Sequence, residues 1–126
     1  MSKQNENLMR VVYVEPNKAP RVMELPHTLE AEQNAVGGLI ELVYNDDNTA
    51  IVCNDEGKLI GMEGNRRLGN GTIIAGPFFV VGLTEDDFRS LTDEEVVKYM
   101  NRFAEPEQIS QEEVESDMGF TIIPFN

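Results

Sequence analysis

Leu39-Ile40-Glu41-Leu42-Val43-Tyr44, then Asn45-Asp46-Asp47-Asn48, then Ala50-Ile51-Val52-Cys53 is the stretch that decides the fold. Two β-rich runs flank four short polar residues. Side chains of that kind bond their own backbone, which is the chemistry of a hairpin turn. Asn54-Asp55-Glu56-Gly57 is a second turn, and Lys58-Leu59-Ile60-Gly61-Met62 reads as a third strand. The spacing predicts a three-stranded antiparallel meander.

Upstream, Met9-Arg10-Val11-Val12-Tyr13-Val14-Glu15 and Arg21-Val22-Met23-Glu24-Leu25 are β-rich and joined by a segment bounded by Pro16 and Pro20, which suggests paired strands. Thr28 is a helix N-cap for Leu29 to Val36, with Glu30 and Glu32 in the first turn, where the helix dipole favours acids. Gly37-Gly38 ends that helix, because glycine accepts the left-handed conformation common at helix C-termini.

Downstream, Glu63 to Gly71 reads as a glycine-bearing loop. Thr72-Ile73-Ile74-Ala75 and Phe78-Phe79-Val80-Val81-Gly82-Leu83 are β-runs, split at Gly76-Pro77, where proline predicts a bend. A short helix is expected from Thr84 through Leu91. Thr92-Asp93-Glu94-Glu95 is a capping box opening a helix to about Phe103, with Val96, Met100 and Phe103 as its buried stripe. Ser110-Gln111-Glu112-Glu113 can cap one more turn. Phe120-Thr121-Ile122-Ile123-Pro124-Phe125 is apolar enough to dock as an edge strand or to serve a subunit contact. The fold class is α+β: an antiparallel β-meander sheet with one helix before it and a short helix pair after it. The expected division is a disordered tail over 1–8, a single α+β domain over 9–103, and an acidic C-terminal extension with an apolar end over 104–126.

The chain has 126 residues, room for one domain, and 40% are apolar. No apolar run approaches the ~18 residues of a membrane span. The first residues are polar, unlike a secretory signal, and Cys53 is the only cysteine, so no intrachain disulfide forms. The expectation is a soluble, intracellular protein. Net charge is −13, and residues 84–126 carry −9 of it, from 12 acids and three bases. Such a field repels nucleic-acid phosphates and anionic lipid, so neither is an expected partner.

Catalytic chemistry is poorly supplied. His27 is the only imidazole, placed between Pro26 and Thr28, and Cys53 sits in an apolar strand run where cysteine acts as a small hydrophobe. No Gly-x-Ser-x-Gly elbow, HExxH or Walker loop is present. Asp46-Asp47 lacks the ligand spacing of an EF-hand loop, so turn chemistry explains it. No catalytic residue, metal site or cofactor is assigned. The scarce cations are more informative. Lys58, Arg66 and Arg67 cluster around a segment with Asn65 and four glycines, where amides and guanidinium forks can grip a phosphate or carboxylate.

Val14-Glu15-Pro16, Val36-Gly37-Gly38 followed by Ile40-Glu41, Cys53-Asn54-Asp55-Glu56-Gly57-Lys58-Leu59, Gly61 with Asn65-Arg66, Ile74-Ala75-Gly76-Pro77-Phe78-Phe79-Val80-Val81-Gly82 and Asp87-Phe88-Arg89-Ser90-Leu91-Thr92 together resemble the family called domain of unknown function 3846, over about residues 11–103. The resemblance implies a small accessory protein of a bacteriophage or conjugative element, acting in the bacterial host cytoplasm, and small proteins of that setting often disable host defence. It brings no catalytic assignment.

Two mechanisms fit. In the first, the protein is a non-catalytic homo-oligomer that sequesters a small anionic nucleotide signal: Lys58, Asn65, Arg66 and Arg67 hold phosphate, and Phe78 or Tyr44 stacks the base. In the alternative, the acidic segment imitates DNA and occupies a host nuclease or DNA-binding defence protein.

Overall fold

Ala50-Ile51-Val52-Cys53 is apolar at odd and even positions alike, which suits a strand covered on both faces. In the computed structural model, which describes residues 7–118, that run is the heart of a strand, Thr49–Asn54, buried at all six positions. Six strands form an antiparallel sheet: β1 (Leu8–Val14), β2 (Arg21–Pro26), β3 (Ile40–Tyr44), β4 (Thr49–Asn54), β7 (Phe78–Leu83) and β8 (Phe88–Arg89). A separate ribbon pairs β5 (Gly64–Arg67) with β6 (Ile73–Ala75). The main order is β2-β1-β7-β4-β3, with β8 added to the end of β7. β7 therefore joins the β1–β2 hairpin to the β3–β4 hairpin, with Val80 opposite both Val12 and Ile51.

Helix α1 (Leu29–Val36) covers one face, where Val36, Val52, Phe79, Val81 and Val11 are buried together. Helix α2 (Asp93–Arg102) and the β5–β6 ribbon cover the other, over Val12, Val14, Ile51, Phe78 and Val80. Helix α3 (Gln111–Asp117) lies on the ribbon, with Val114 buried against Ile73 and Ala75. The α+β class, the antiparallel sheet, the helix before the β3–β4 hairpin and the helix pair after the sheet are as the sequence predicts. The three N-caps are the predicted ones: Thr28 accepts from the Ala31 amide, and Thr92 and Ser110 each close a capping box. Gly37 takes φ 82° at the end of α1.

Four local expectations are corrected. Residues 58–62 are not the third arm of a meander but a run of turns, closed by Ile60 N–H to Glu56 O at 2.9 Å and Met62 N–H to Gly57 O at 2.9 Å. The second edge of β4 is taken by β7, whose apolar residues suit burial on both sides, whereas Leu59 and Ile60 stay exposed. The stretch Thr84–Leu91 is not a helix. Thr84 N–H bonds Asp87 O at 2.7 Å and the Thr84 hydroxyl accepts the Asp87 amide at 3.0 Å, turning the chain back to pair β8 with β7. The expected loop over 63–71 holds β5. Leu8, placed in the expected tail, opens β1. The apolar end Phe120–Phe125 and residues 1–6 lie outside the described residues. Among the described residues no helix is long and apolar enough to cross a membrane.

Candidate functional site

The residues expected to bind an anion separate into core and surface. Arg66 is 1% exposed, and its guanidinium is fully engaged by protein oxygens. Nε and Nη2 donate to Phe103 O at 3.2 and 3.0 Å, Nη2 to Lys18 O at 2.6 Å, and Nη1 to the Asn65 side-chain oxygen at 2.8 Å. Burial holds its pKa below the usual arginine range. Asn65, also buried, donates to Val14 O and Gly76 O, both at 2.9 Å. Phe78 is in the core, edge-on to Phe103 with ring centres 5.1 Å apart. These three therefore hold β5, the 15–20 turn and the end of α2 together, and they present no group to a ligand. The sequence reads as a ligand loop because nothing local distinguishes an arginine that reaches solvent from one that reaches carbonyls.

Arg67 and Lys58 stay near the surface, but each is paired. Arg67 meets Glu113 at 2.9 Å, and Lys58 meets Asp117 at 2.7 Å. Both acids belong to α3, so these cations tie the helix to the ribbon and to the 56–62 turns. Lys58 also lines a hollow of about 360 Å³ with Glu41, Cys53, Asp55 and Asp117. There burial, with help from Glu41, pushes the Cys53 thiol up to about 12, which leaves it a poor nucleophile at neutral pH.

An acidic cleft of about 550 Å³ opens instead on the opposite face of β3, where Leu42 and Tyr44 alternate with the Glu41 and Val43 of the first hollow. One wall is the start of α1, with His27, Leu29 and Glu32. A second is the edge strand β3, with Leu42 and Tyr44. The third is the turn from Leu83 to Phe88, with Glu85, Asp86 and Asp87. Among the described residues no lysine or arginine lines it. His27 Nε2 lies 2.9 Å from Asp87 Oδ1, and the His27 and Phe88 rings stack at 6.5 Å. The Phe88 amide also donates to Asp87 Oδ1 at 2.7 Å, and this bond and then His27 hold the Asp87 carboxyl below its ordinary range. The pair forms a shared wall, since a second hollow of about 420 Å³ lies on its other side, against Asn7, Leu8 and Ser90.

Glu32 behaves oppositely. It is 5% exposed, and burial raises its carboxyl pKa, an effect that Asp87 adds to and His27 opposes. Its position was legible in one respect: it precedes the buried Val36 by four residues and so shares its helix face. The helix-dipole argument for a first-turn acid does not distinguish a buried carboxylate from an exposed one. Asp87 carried its own signal, three residues after Thr84 in a side-chain-closed turn.

Chemically, the cleft offers carboxylates, one imidazole and apolar walls, a setting for an organic cation. Among the described residues no three histidine, cysteine or acidic side chains converge on a common metal position. The Thr84 hydroxyl in the wall donates to Asp87 O and accepts from the Asp87 amide. Residues 9–104 match the model of a family described as Domain of unknown function (DUF3846). No curated protein and no solved structure matches the chain.

Proposed function

The chain belongs to the DUF3846 family, whose description names no activity, and we propose that it works by holding a positively charged protein surface against its acidic face. The partner class is a host nuclease or DNA-binding defence protein, in keeping with the mobile-element setting that the resemblance implies. One contrast carries this reading. Among the described residues the open cleft is lined by four acids and by no lysine or arginine, while Arg66, Arg67 and Lys58, the cations expected to grip an anion, are engaged by carbonyls and by α3. A surface of this sign speeds encounter with basic proteins and discourages nucleic acid itself.

Sequestration of a small anionic nucleotide is the competing proposal. Its support is the hollow beside Lys58, and its handicap is that Glu41, Asp55 and Asp117 line the same space. One experiment separates the two. The protein is immobilised in bacterial lysate, washed with rising salt, and challenged with duplex DNA. It is then denatured so that released proteins and small molecules are both identified by mass spectrometry. The expected result is a DNA-binding protein that duplex DNA displaces and that a Glu85→Lys, Asp86→Lys variant no longer captures. A retained nucleotide without a protein, capture indifferent to DNA and to charge reversal, or no capture at all would overturn the reading.

A further inference from the structure

We infer that the cleft at His27 and Glu32 is a receptor for one arginine side chain of the partner, with Glu32 as its anion. This deepens the proposed function and rests on it. The decisive observation is Glu32 itself. A carboxylate removed from water normally acquires partners, because an unpaired buried charge is among the costliest features a fold can carry. Glu32 is 5% exposed, lines the cleft, and has no hydrogen-bonding group among the described residues. No polar side-chain atom among those residues is sealed away without a partner, so its oxygens keep their opening into the cleft. Asp87 Oδ1 is already taken by His27 and the Phe88 amide, and its carboxylate adds negative potential to the cleft.

The walls select among cations. Leu29 at 58% and Tyr44 at 70% exposure stand uncovered at the rim, and Leu42, two residues before Tyr44 on β3, lines the same face. These give an aliphatic stem and a planar group apolar and aromatic surface to lie on. A guanidinium stacks on tyrosine and bonds a carboxylate through two parallel N–H groups, whereas an ammonium does neither as well. The space admits an arginine side chain with the backbone that bears it. The same chemistry could come from a free guanidinium compound, so the test separates the sources.

Acetyl-Ala-Arg-Ala-amide, its lysine counterpart and free agmatine are titrated into the whole protein, reading the His27 and Tyr44 ring resonances by NMR. The arginine peptide should shift both rings and bind more tightly than the lysine peptide. Glu32→Gln, which keeps the side chain's shape, should weaken the arginine peptide at least about tenfold, the scale of one lost charge-assisted hydrogen bond. Tyr44→Ala, at an exposed rim position, should weaken it without affecting folding, and carries the test if Glu32→Gln does not fold.

Binding unchanged in either folded variant overturns the inference. So do shifts confined to resonances away from these rings, an equal preference for lysine, or agmatine binding with no peptide binding. If the inference fails while DNA-displaceable capture by the wild type persists, only the anchor is wrong. If that capture also fails, the acidic-surface reading falls.

Discussion

Arg66 donates twice to the carbonyl oxygen of Phe103, the residue that caps α2, at 3.2 and 3.0 Å. A cation at a helix C-terminus meets the negative end of the dipole, and here it also saturates a carbonyl that the helix leaves unpaired. Removing the side chain would strand Phe103 O and the Asn65 amide oxygen in a buried setting and leave the part-buried Lys18 O without its partner. Arg66→Met should cost about 3 kcal/mol or more, since each buried group left unsatisfied costs about 1–3 kcal/mol. Arg66→Lys should restore little, because an ammonium cannot span the three acceptors. Urea unfolding curves check both; a ligand-binding role alone would leave them unchanged.

Asp47 ties the β3–β4 turn to α2. Its carboxylate accepts from Lys98 Nζ and the Tyr99 hydroxyl, both at 2.6 Å, and from the Thr49 hydroxyl at 2.6 Å. Burial alone would raise its pKa, but the bonds from Lys98, Thr49 and Tyr99 outweigh it and hold the carboxyl well below the usual range. A group depressed on folding stabilises above its unfolded pKa and loses that contribution as pH falls through the folded one. Asp47→Asn should cost about 2 kcal/mol at neutral pH, the scale of hydrogen bonds to a charged group. It should also flatten the acid side of the stability profile, measured by thermal unfolding between pH 7 and acid.

Glu32 predicts the opposite slope. Its carboxyl is raised on folding, so above the ordinary glutamate range the folded state binds more protons than the unfolded one, and stability falls as pH rises. Glu32→Gln removes that loss. The variant should be more stable than the wild type at neutral pH, and the two curves should converge at acid pH, where the wild-type carboxyl is protonated. A variant equally destabilised at every pH would contradict the argument.

Gly64 permits the docking of α3. A Cβ there would stand 2.8 Å from Ile109 Cγ2 and 3.0 Å from Val114 Cγ2. Gly64→Ala should therefore lift α3 from the ribbon at a cost of about 1–3 kcal/mol, the range of overpacking in a filled core. Limited proteolysis between Pro106 and Ser110 should become faster, while the β3–β4 core stays resistant.

Much of the architecture is legible because it is local. Thr28, Thr92 and Ser110 announce helix starts through side chains within three residues, and Gly76-Pro77 announces a bend that the structure places between β6 and β7. The errors are those of partner choice. Lys58–Met62 looks like a strand until Phe78–Leu83 takes the edge of β4, a decision made by residues some twenty positions away. The site follows the same rule. Arg66 meets acceptors at Lys18 and Phe103, and the cleft unites residues 27–32, 42–44 and 83–88. Neither juxtaposition has a signature in any one segment.

The central placement of β7 bears on how the chain acquires its form during synthesis. Two hairpins are finished early, yet each exposes an apolar flank until residues 78–83 emerge and lie between them. Closing the span from Val12 to Val80 requires a long, entropically expensive loop before any pairing rewards it, which slows assembly. Nascent chains halted before Phe78 are thus the species most prone to stick to one another.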